Sequence, residues 1–201
     1  RDVYKRQLTL RPGVPLLAAA RAHVDFTERS FALTQGAATV LGGEAQFDGG
    51  SQPDGSMRFN VQGTASAEAL RRTPELGALS GPAGILTGQT GYQVAVGFVH
   101  DHVEWQFNSS LAGLGVDLPA PLGKRAEPTL PLRVQVSLQP APPTGALQRD
   151  TLHVDLGPET GRVLQAQYLR ELAPGGARVL RGGLAVGAMA GEALPQSTKG
   201  V

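Results

Sequence analysis

The sequence predicts an all-β fold of mostly antiparallel strands, built as an elongated, curved sheet with at most one or two short helices. Two observations carry this prediction. Five segments alternate apolar and polar residues with a period of two, which is typical of antiparallel strands that have one dry and one solvated face. The 27 Gly and 15 Pro residues are scattered between these segments without a repeat, which indicates frequent turns.

The alternating segments, in chain order, are "MRFNV", "YQVAVGF", "VEWQF", "LRVQVSL" and "LHVDL". The first places Met57, Phe59 and Val61 on one face, and the last does the same with Leu152, Val154 and Leu156. The three central segments are predicted to contribute one apolar surface, made of Tyr92, Val94, Val96, Phe98, Val103, Trp105, Phe107, Leu132, Val134, Val136 and Leu138.

Local signals predict the connections between these strands. "QPDGS", residues 52–56, carries the Pro-Asp-Gly of a hairpin turn, and "HDH", residues 100–102, has the length of a second hairpin loop. Ser66–Arg72 is the only predicted helix, with Ser66 as its N-cap and Pro74 soon after its end. The Pro-rich segment 139–145 is too short to separate two stable domains.

The apolar face of such a sheet needs a cover, and three architectures can supply one. A second sheet would make a sandwich, and closure of the sheet would make a barrel. In a long curved sheet, lipid tails rather than side chains would fill the apolar face. The alternation fits all three.

Composition excludes several functional classes. The net charge is +1, with 18 basic and 17 acidic residues well mixed, so no nucleic-acid binding is expected. The chain has no Cys, which excludes disulfides and zinc–thiolate sites. No apolar run approaches the ~20 residues that span a bilayer.

One stretch looks at first like a phosphate loop. Gly113 and Gly115 follow a predicted strand, but Pro119 and Pro121 stand where the anion-binding helix would begin. We therefore interpret "LPAPLGK" as an extended, stiff segment that leads to the strand at Leu132.

No residue cluster predicts catalysis or metal binding. His100 and His102 flank Asp101, but His23 and His153 lie on other segments without ligand spacing. No Gly-x-Ser-x-Gly motif and no paired carboxylates are present. We expect no metal, no cofactor and no enzymatic activity.

Three longer runs carry a family resemblance: "GSMRFNVQGTASAEALRR", "TGYQVAVGF" and "SSLAGLGVDLPAPLGKRAEPTLPLRVQV". Together they resemble the YhdP-type proteins of the AsmA-like superfamily, and the most specific part is Ser109 to Lys124 with its Leu-Pro-Ala-Pro. The late "RGGLAVG" and "LPQSTKGV" are similar to the same family. The resemblance covers roughly residues 8–201. We expect "RDVYKRQ", residues 1–7, to be an artefactual prefix.

The resemblance implies an internal segment of a large Gram-negative envelope protein that is anchored in the inner membrane through another part of its chain. A long periplasmic β-groove would carry glycerophospholipids between the inner and outer membranes, with the apolar surface defined above facing the acyl chains. The implied partners are those acyl chains and flanking segments of the same longer chain, and membrane contact would occur only through other parts of that chain. The alternative is a compact β-sandwich that binds protein or glycan and transports nothing.

Overall fold

The computed structural model describes residues 18–72, 85–99, 102–140, 145–173 and 176–187. Within them, eleven strands and one helix follow in chain order: β1 (Ala18–Phe26), β2 (Phe31–Val40), β3 (Gly43–Ser51), β4 (Met57–Ser66), α1 (Ala67–Arg72), β5 (Leu86–Val99), β6 (His102–Ser109), β7 (Leu114–Val116), β8 (Leu132–Leu138), β9 (Arg149–Leu156), β10 (Leu164–Ala173) and β11 (Gly176–Val186).

All eleven strands belong to one antiparallel sheet. Ten of them run in the order β1-β2-β3-β4-β5-β6-β8-β9-β10-β11, and the short β7 pairs with β5 beside this path. Among the described strands the sheet does not close, because β1 and β11 each pair with a single neighbour there. The predicted all-β class, mostly antiparallel and with at most one or two short helices, is confirmed.

The five alternating segments all form strands. β8 has the predicted bounds, whereas β4, β5, β6 and β9 extend beyond the alternating residues. β1, β2, β10 and β11 lie where the sequence analysis assigned no element.

The predicted turn at residues 52–56 is confirmed. The Gln52 N–H donates to the Ser56 carbonyl (2.7 Å), and the Gly55 N–H donates to the Gln52 carbonyl (3.0 Å). Gly55 takes a φ of 80°, which residues other than Gly rarely adopt. The Asp54 carboxylate accepts from the Ser56 hydroxyl (2.6 Å) and amide (2.9 Å), and these hydrogen bonds lower the pKa of Asp54.

The predicted helix and the second hairpin are also found. α1 begins after Ser66, whose Oγ accepts from the Ala69 N–H (3.2 Å) as an N-cap. β5 and β6 pair out to Val99 and His102. His100, Asp101 and Pro74 lie outside the described residues.

The segment after β7 corrects one expectation. "LPAPLGK" is not extended, because Val116 and Lys124 pair through two backbone hydrogen bonds (2.9 and 3.0 Å). The Leu122 and Gly123 amides donate to the Pro119 carbonyl (3.1 and 3.2 Å) and close a tight turn. Proline fixes φ in a range that turns use as readily as extended chain does, so the two prolines did not distinguish these states.

Lys124 stabilises this folded-back segment. Its Nζ donates to the carbonyls of Leu111, Leu114 and Arg125 (2.8 Å each) and of Ala126 (3.3 Å). Leu111 lies before β7, Leu114 lies in β7, and Arg125 and Ala126 lie after it, so one ammonium group joins β7 to the loops on both sides.

The Gly-x-Gly stretch also forms backbone hydrogen bonds within this region. The Gly113 N–H donates to the Ala126 carbonyl (2.8 Å), and the Gly113 carbonyl accepts from Gln89 (3.1 Å). A strand, β7, follows where a phosphate loop would need a helix. These amides are used inside the fold.

The fold has no large central core among the described residues. One buried cluster is formed by Ala38, Val40 and Ala45, and a second lies near α1 and β7. Contacts between elements run almost entirely between strands that are neighbours in the sheet. The described strands therefore form one open sheet, and the two facing sheets of the sandwich alternative are not present in them.

The segment 139–145 joins two paired strands. β8 and β9 are in register from Leu132–Leu156 to Leu138–Asp150, so the sheet continues across this connection. The proposed prefix, residues 1–7, lies outside the described residues, and its assignment stays a prediction. Among the described residues, no helix is long and apolar enough to cross a membrane.

Candidate functional site: an apolar strip across the sheet

The predicted apolar residues of β5, β6 and β8 lie on one face of the sheet and in register. Val94 is opposite Phe107, and Phe107 is opposite Val134. Directly opposed residues of neighbouring antiparallel strands point to the same face. The apolar residues therefore form rows that cross the strands rather than follow them.

These rows extend far beyond the three predicted strands. The first row contains Phe47, Val61, Val94, Phe107, Val134, Val154, Ala166 and Leu184. The second contains Phe59, Val96, Trp105, Val136, Leu152 and Tyr168. Flanking rows add Tyr92, Leu132 and Leu156 on one side and Phe98, Val103 and Leu138 on the other. We call this surface the apolar strip.

The strip is long because it runs perpendicular to the strands. Its first row crosses from β3 to β11, which are separated by seven strand spacings. At about 4.8 Å per spacing, this row is roughly 34 Å long. One leaflet of a bilayer provides about 15 Å of hydrocarbon depth, half of the ~30 Å core, so the strip exceeds the length of one acyl chain.

The strip is only partly shielded from solvent. Tyr92 and Val136 are buried, and most of the other predicted residues are half-buried. Trp105 remains 37% exposed, and Leu184 at the β11 end is 56% exposed. Large contiguous apolar surface of this kind marks an interaction site.

Sequence reasoning missed the strip residues of β3, β10 and β11. Phe47 stands in the alternating run "EAQFD", so the period-two signal was present there. Tyr168 ends the alternating run "LQAQY", so the signal was present there as well, whereas Leu184 lies in "RGGLAVG", which does not alternate apolar and polar residues.

Aromatic rings of the strip lie directly over cross-strand glycines. A Cβ added to any of these glycines would overlap or crowd the aromatic side chain on the neighbouring strand. The aromatic side chain thus fills the space that a side chain on the glycine would take, through the Oη of Tyr92 at Gly63 and through ring atoms at the other three glycines, an arrangement that supports glycines within strands. The four pairs are Gly36 with Phe47, Gly49 with Phe59, Gly63 with Tyr92, and Gly182 with Tyr168.

Tyr92 combines ring packing with an unpaired hydroxyl. Its ring stacks on Phe107 with centroids 5.8 Å apart. Its Oη is buried and has no hydrogen-bond partner among the described residues. Burial raises the pKa of Tyr92 above its usual value of 10.0.

The opposite face of the sheet is polar and rich in amides. Gln62 Nε2 donates to Gln46 Oε1 (3.3 Å), and Gln135 Nε2 donates to Gln106 Oε1 (3.1 Å). These bonds join neighbouring strands on the solvated side. The sheet therefore separates an apolar face from a polar one across its width.

Two clefts lie on this polar face. One, of about 940 Å³, includes Arg21, His23 and Asp48 in its lining. The other, of about 1030 Å³, includes Arg133 and Asp155. Amide side chains line both clefts, among them Gln46, Gln62, Gln93 and Asn108.

Within the described strands, one ion pair lies at a margin of the apolar face. Asp150 is in phase with Leu152 on β9, and Arg170 is in phase with Tyr168 on β10, so both point to the strip side. They are the only charged residues at described strand positions of this face. Sequence reasoning missed them, although the spacing of Asp150 from Leu152 already placed it there.

The histidines of the described chain do not come together. His23 Nε2 contacts Asp25 Oδ1 (3.2 Å) on β1, and His153 lies on the polar face of β9. In the described part of the chain, no group of three or more His, Asp or Glu side chains could hold a metal ion. His100 lies outside that part.

Comparison with known proteins gives one result for nearly the whole chain. A family model described as "YhdP protein" matches residues 3–201. No curated protein and no solved structure matches the chain.

Proposed function

Because the chain belongs to the YhdP family, we propose that it is one segment of a bridge that carries glycerophospholipids between the inner and outer membranes of a Gram-negative envelope. The apolar strip would hold the acyl chains, and the amide-rich face would remain in water. The proposal places this segment in the periplasm, with the parent protein anchored in the inner membrane through another part of its chain. It assigns no catalytic residue.

The continuity of the strip is the observation that carries this proposal. Val94, Phe107 and Val134 succeed one another on adjacent strands without a polar step, and no second layer of the described chain covers them. An acyl chain gains about 0.8 kcal/mol for each methylene that it buries. Such a gain is large in sum and similar at each position, so it holds a lipid without fixing it at one place.

Site-specific photo-crosslinking tests the proposal. A photoreactive residue at Val96 or Val134, on the strip, should capture phospholipid in cells that produce the protein. The same residue at Gln93 or Arg133, on the polar face of the same strands, should capture little. Equal capture from both faces, or none from either face of a folded protein, would contradict the assignment.

The polar clefts favour the second candidate, a surface that binds protein or glycan. Their amide and charged side chains suit hydroxyl-rich or peptide ligands better than lipid tails. The same experiment separates the two candidates, because this function places crosslinked protein or glycan at Gln93 and none at Val96.

A further inference from the structure

Asp150 and Arg170 form a two-point ion pair at one margin of the apolar strip. Arg170 Nε donates to Asp150 Oδ1 (2.8 Å), and Arg170 Nη2 donates to Asp150 Oδ2 (2.6 Å). Asp150 is only 3% exposed, whereas the Arg170 side chain keeps 22% of its surface in contact with solvent.

The neighbours of this pair are apolar. Leu138 is the cross-strand partner of Asp150 on one side, and Val179 is the partner of Arg170 on the other. Hydrophobic residues of similar volume often replace a buried ion pair with no loss of stability. Sheet stability alone therefore gives no reason for two charges at this place.

The geometry leaves the guanidinium of Arg170 available to a second anion. The Asp150 carboxylate accepts from Nε and from one N–H of Nη2. The other N–H donors of Arg170 have no partner within the described part of the chain. Guanidinium groups bind phosphate oxygens through paired N–H donors. A carboxylate that fixes one edge of the group orients the other edge before the ligand arrives.

We propose that Arg170, positioned by Asp150, contacts the phosphodiester of a phospholipid whose acyl chain lies on the apolar strip. This inference rests on the proposed function. Arg170 is two residues from Tyr168 on the same face, a distance of about 7 Å along the strand. A phosphate bound to Arg170 therefore leaves the attached acyl chain beside Tyr168 and Leu152.

Lipids that share acyl chains but differ in phosphate test the proposal. The 201-residue chain is incubated with vesicles that contain either dioleoyl phosphatidylglycerol or dioleoylglycerol, and the retained lipid is measured by mass spectrometry. The wild-type chain should retain the phospholipid in preference. The double variant Asp150→Asn/Arg170→Gln leaves no unpaired charge. Its preference for the phospholipid should be about tenfold smaller than that of the wild-type chain, which is the effect of one hydrogen bond to a charged group.

Three controls make the result specific. Arg178→Gln removes an arginine that pairs with Glu171 on the opposite face (2.7 Å), and it should leave the preference unchanged. Arg170→Lys keeps the charge but not the two-point geometry and should give an intermediate preference, which tests the contact without removing the charge. Inorganic phosphate should not compete with the phospholipid, because the site requires both the phosphate and the acyl chain.

Each outcome bears on a different claim. Equal retention of both lipids by the wild-type chain, or an unchanged preference in the double variant, overturns the role of Arg170 and leaves the lipid strip standing. Competition by inorganic phosphate reduces the site to one for free anions and overturns the proposal. Retention of neither lipid by the folded wild-type chain overturns the proposed function and this inference with it.

Discussion

At the scale of single residues, the strip depends on how its aromatic rings are seated. The Phe59 ring lies over Gly49, and the Tyr168 ring lies over Gly182, so the rings cover backbone instead of standing away from it. A ring in this position gives the strip a continuous hydrocarbon surface. The glycines thus help to form this surface by leaving room for the rings, although they contribute no side chain to it.

A methyl group at Gly49 should displace the Phe59 ring. The added Cβ would overlap both the ring and backbone atoms of β4, so Gly49→Ala should destabilise the chain by about 1–3 kcal/mol, the usual range for overpacking. Urea unfolding measures the change. The control is Gly97→Ala, where a Cβ meets open space, and a loss of equal size there would contradict the role of the ring.

The buried hydroxyl of Tyr92 makes a prediction of opposite sign. Tyr92→Phe removes a polar atom that has no partner in the described residues and should stabilise the chain by about 1 kcal/mol, because an unsatisfied buried group costs about 1–3 kcal/mol. Tyr168→Phe, at a half-buried position, should change the stability little. A loss of stability in Tyr92→Phe would show that the hydroxyl has a partner.

The same residue predicts a pH dependence. Since the pKa of Tyr92 is raised in the folded chain, the native state keeps a proton that the unfolded chain releases above pH 10.0. The stability that follows from this difference in pKa is therefore fully present below that pH, and it is lost as the pH rises through the folded pKa. In Tyr92→Phe, the free energy of unfolding should not show this decrease above pH 10.0.

At the scale of elements, sequence alternation identified the strands whose two faces differ most. The β8 segment "LRVQVSL" was predicted with its full bounds. The β10 segment "LQAQYLRELA" is rich in good helix formers, and it forms a strand because β9 and β11 pair with it on both sides. Its first half, "LQAQY", alternates apolar and polar residues as a strand does, but the helix formers of its second half give no such signal, so the extent of the strand depends on its pairing.

The residues of the candidate site were predictable from the sequence only where their strands alternate clearly. The strip residues of β5, β6 and β8 were predicted from alternation, and the structure places them on one face. Their contact with lipid stays a prediction. Asp150 and Arg170 were missed because a charged residue in phase with apolar ones has no meaning until its partner strand is known.

Lys124 should determine the stability of the loops around β7. Lys124→Met removes the ammonium donor from several carbonyls and should cost about 1.5–3 kcal/mol, the usual contribution of hydrogen bonds to charged groups. Hydrogen exchange at Gly113 and Val116, whose amides bond within these loops, should become faster. Arg125→Met, at an exposed neighbour, should leave both measurements unchanged; equal effects of the two variants would rule out the bridging role of Nζ.

At the scale of the whole molecule, the sheet acts as a partition with different chemistry on its two faces. Its strands pair almost entirely with sequence neighbours, so each added hairpin lengthens the strip by about 10 Å without altering the part already formed. A sheet of this kind needs no closed core at its centre. The stability of the strip and its length are therefore largely independent, which suits a surface along which a ligand moves.

An open strip and a sealed core respond differently to a buried charge. Val96 is half-buried on a face that no second layer of the described residues covers, so the carboxylate of Val96→Asp can reach water. We expect the variant to remain folded with a loss of about 1 kcal/mol, the scale of strand propensity, whereas an unpaired charge in a sealed core would cost several kcal/mol. Circular dichroism and urea unfolding measure this, with Gln93→Asp on the polar face as the control. Global unfolding of Val96→Asp alone would mean that the face is closed.

If lipid moves along the strip, it must pass every position of the path, so a block at either of two distant positions should stop delivery. Val61 on β4 and Val154 on β9 belong to the same row but to strands separated by several others. A charge at either place interrupts the same path, so Val61→Asp and Val154→Asp should each abolish phospholipid delivery in cells that depend on the protein. The two together should be no worse than one, because a path that is already blocked cannot be blocked again. Gln62→Asp and His153→Asp, on the polar face of the same strands, should be tolerated. A discrete binding pocket predicts instead that only one of the two strip positions matters, and that result would exclude a continuous path.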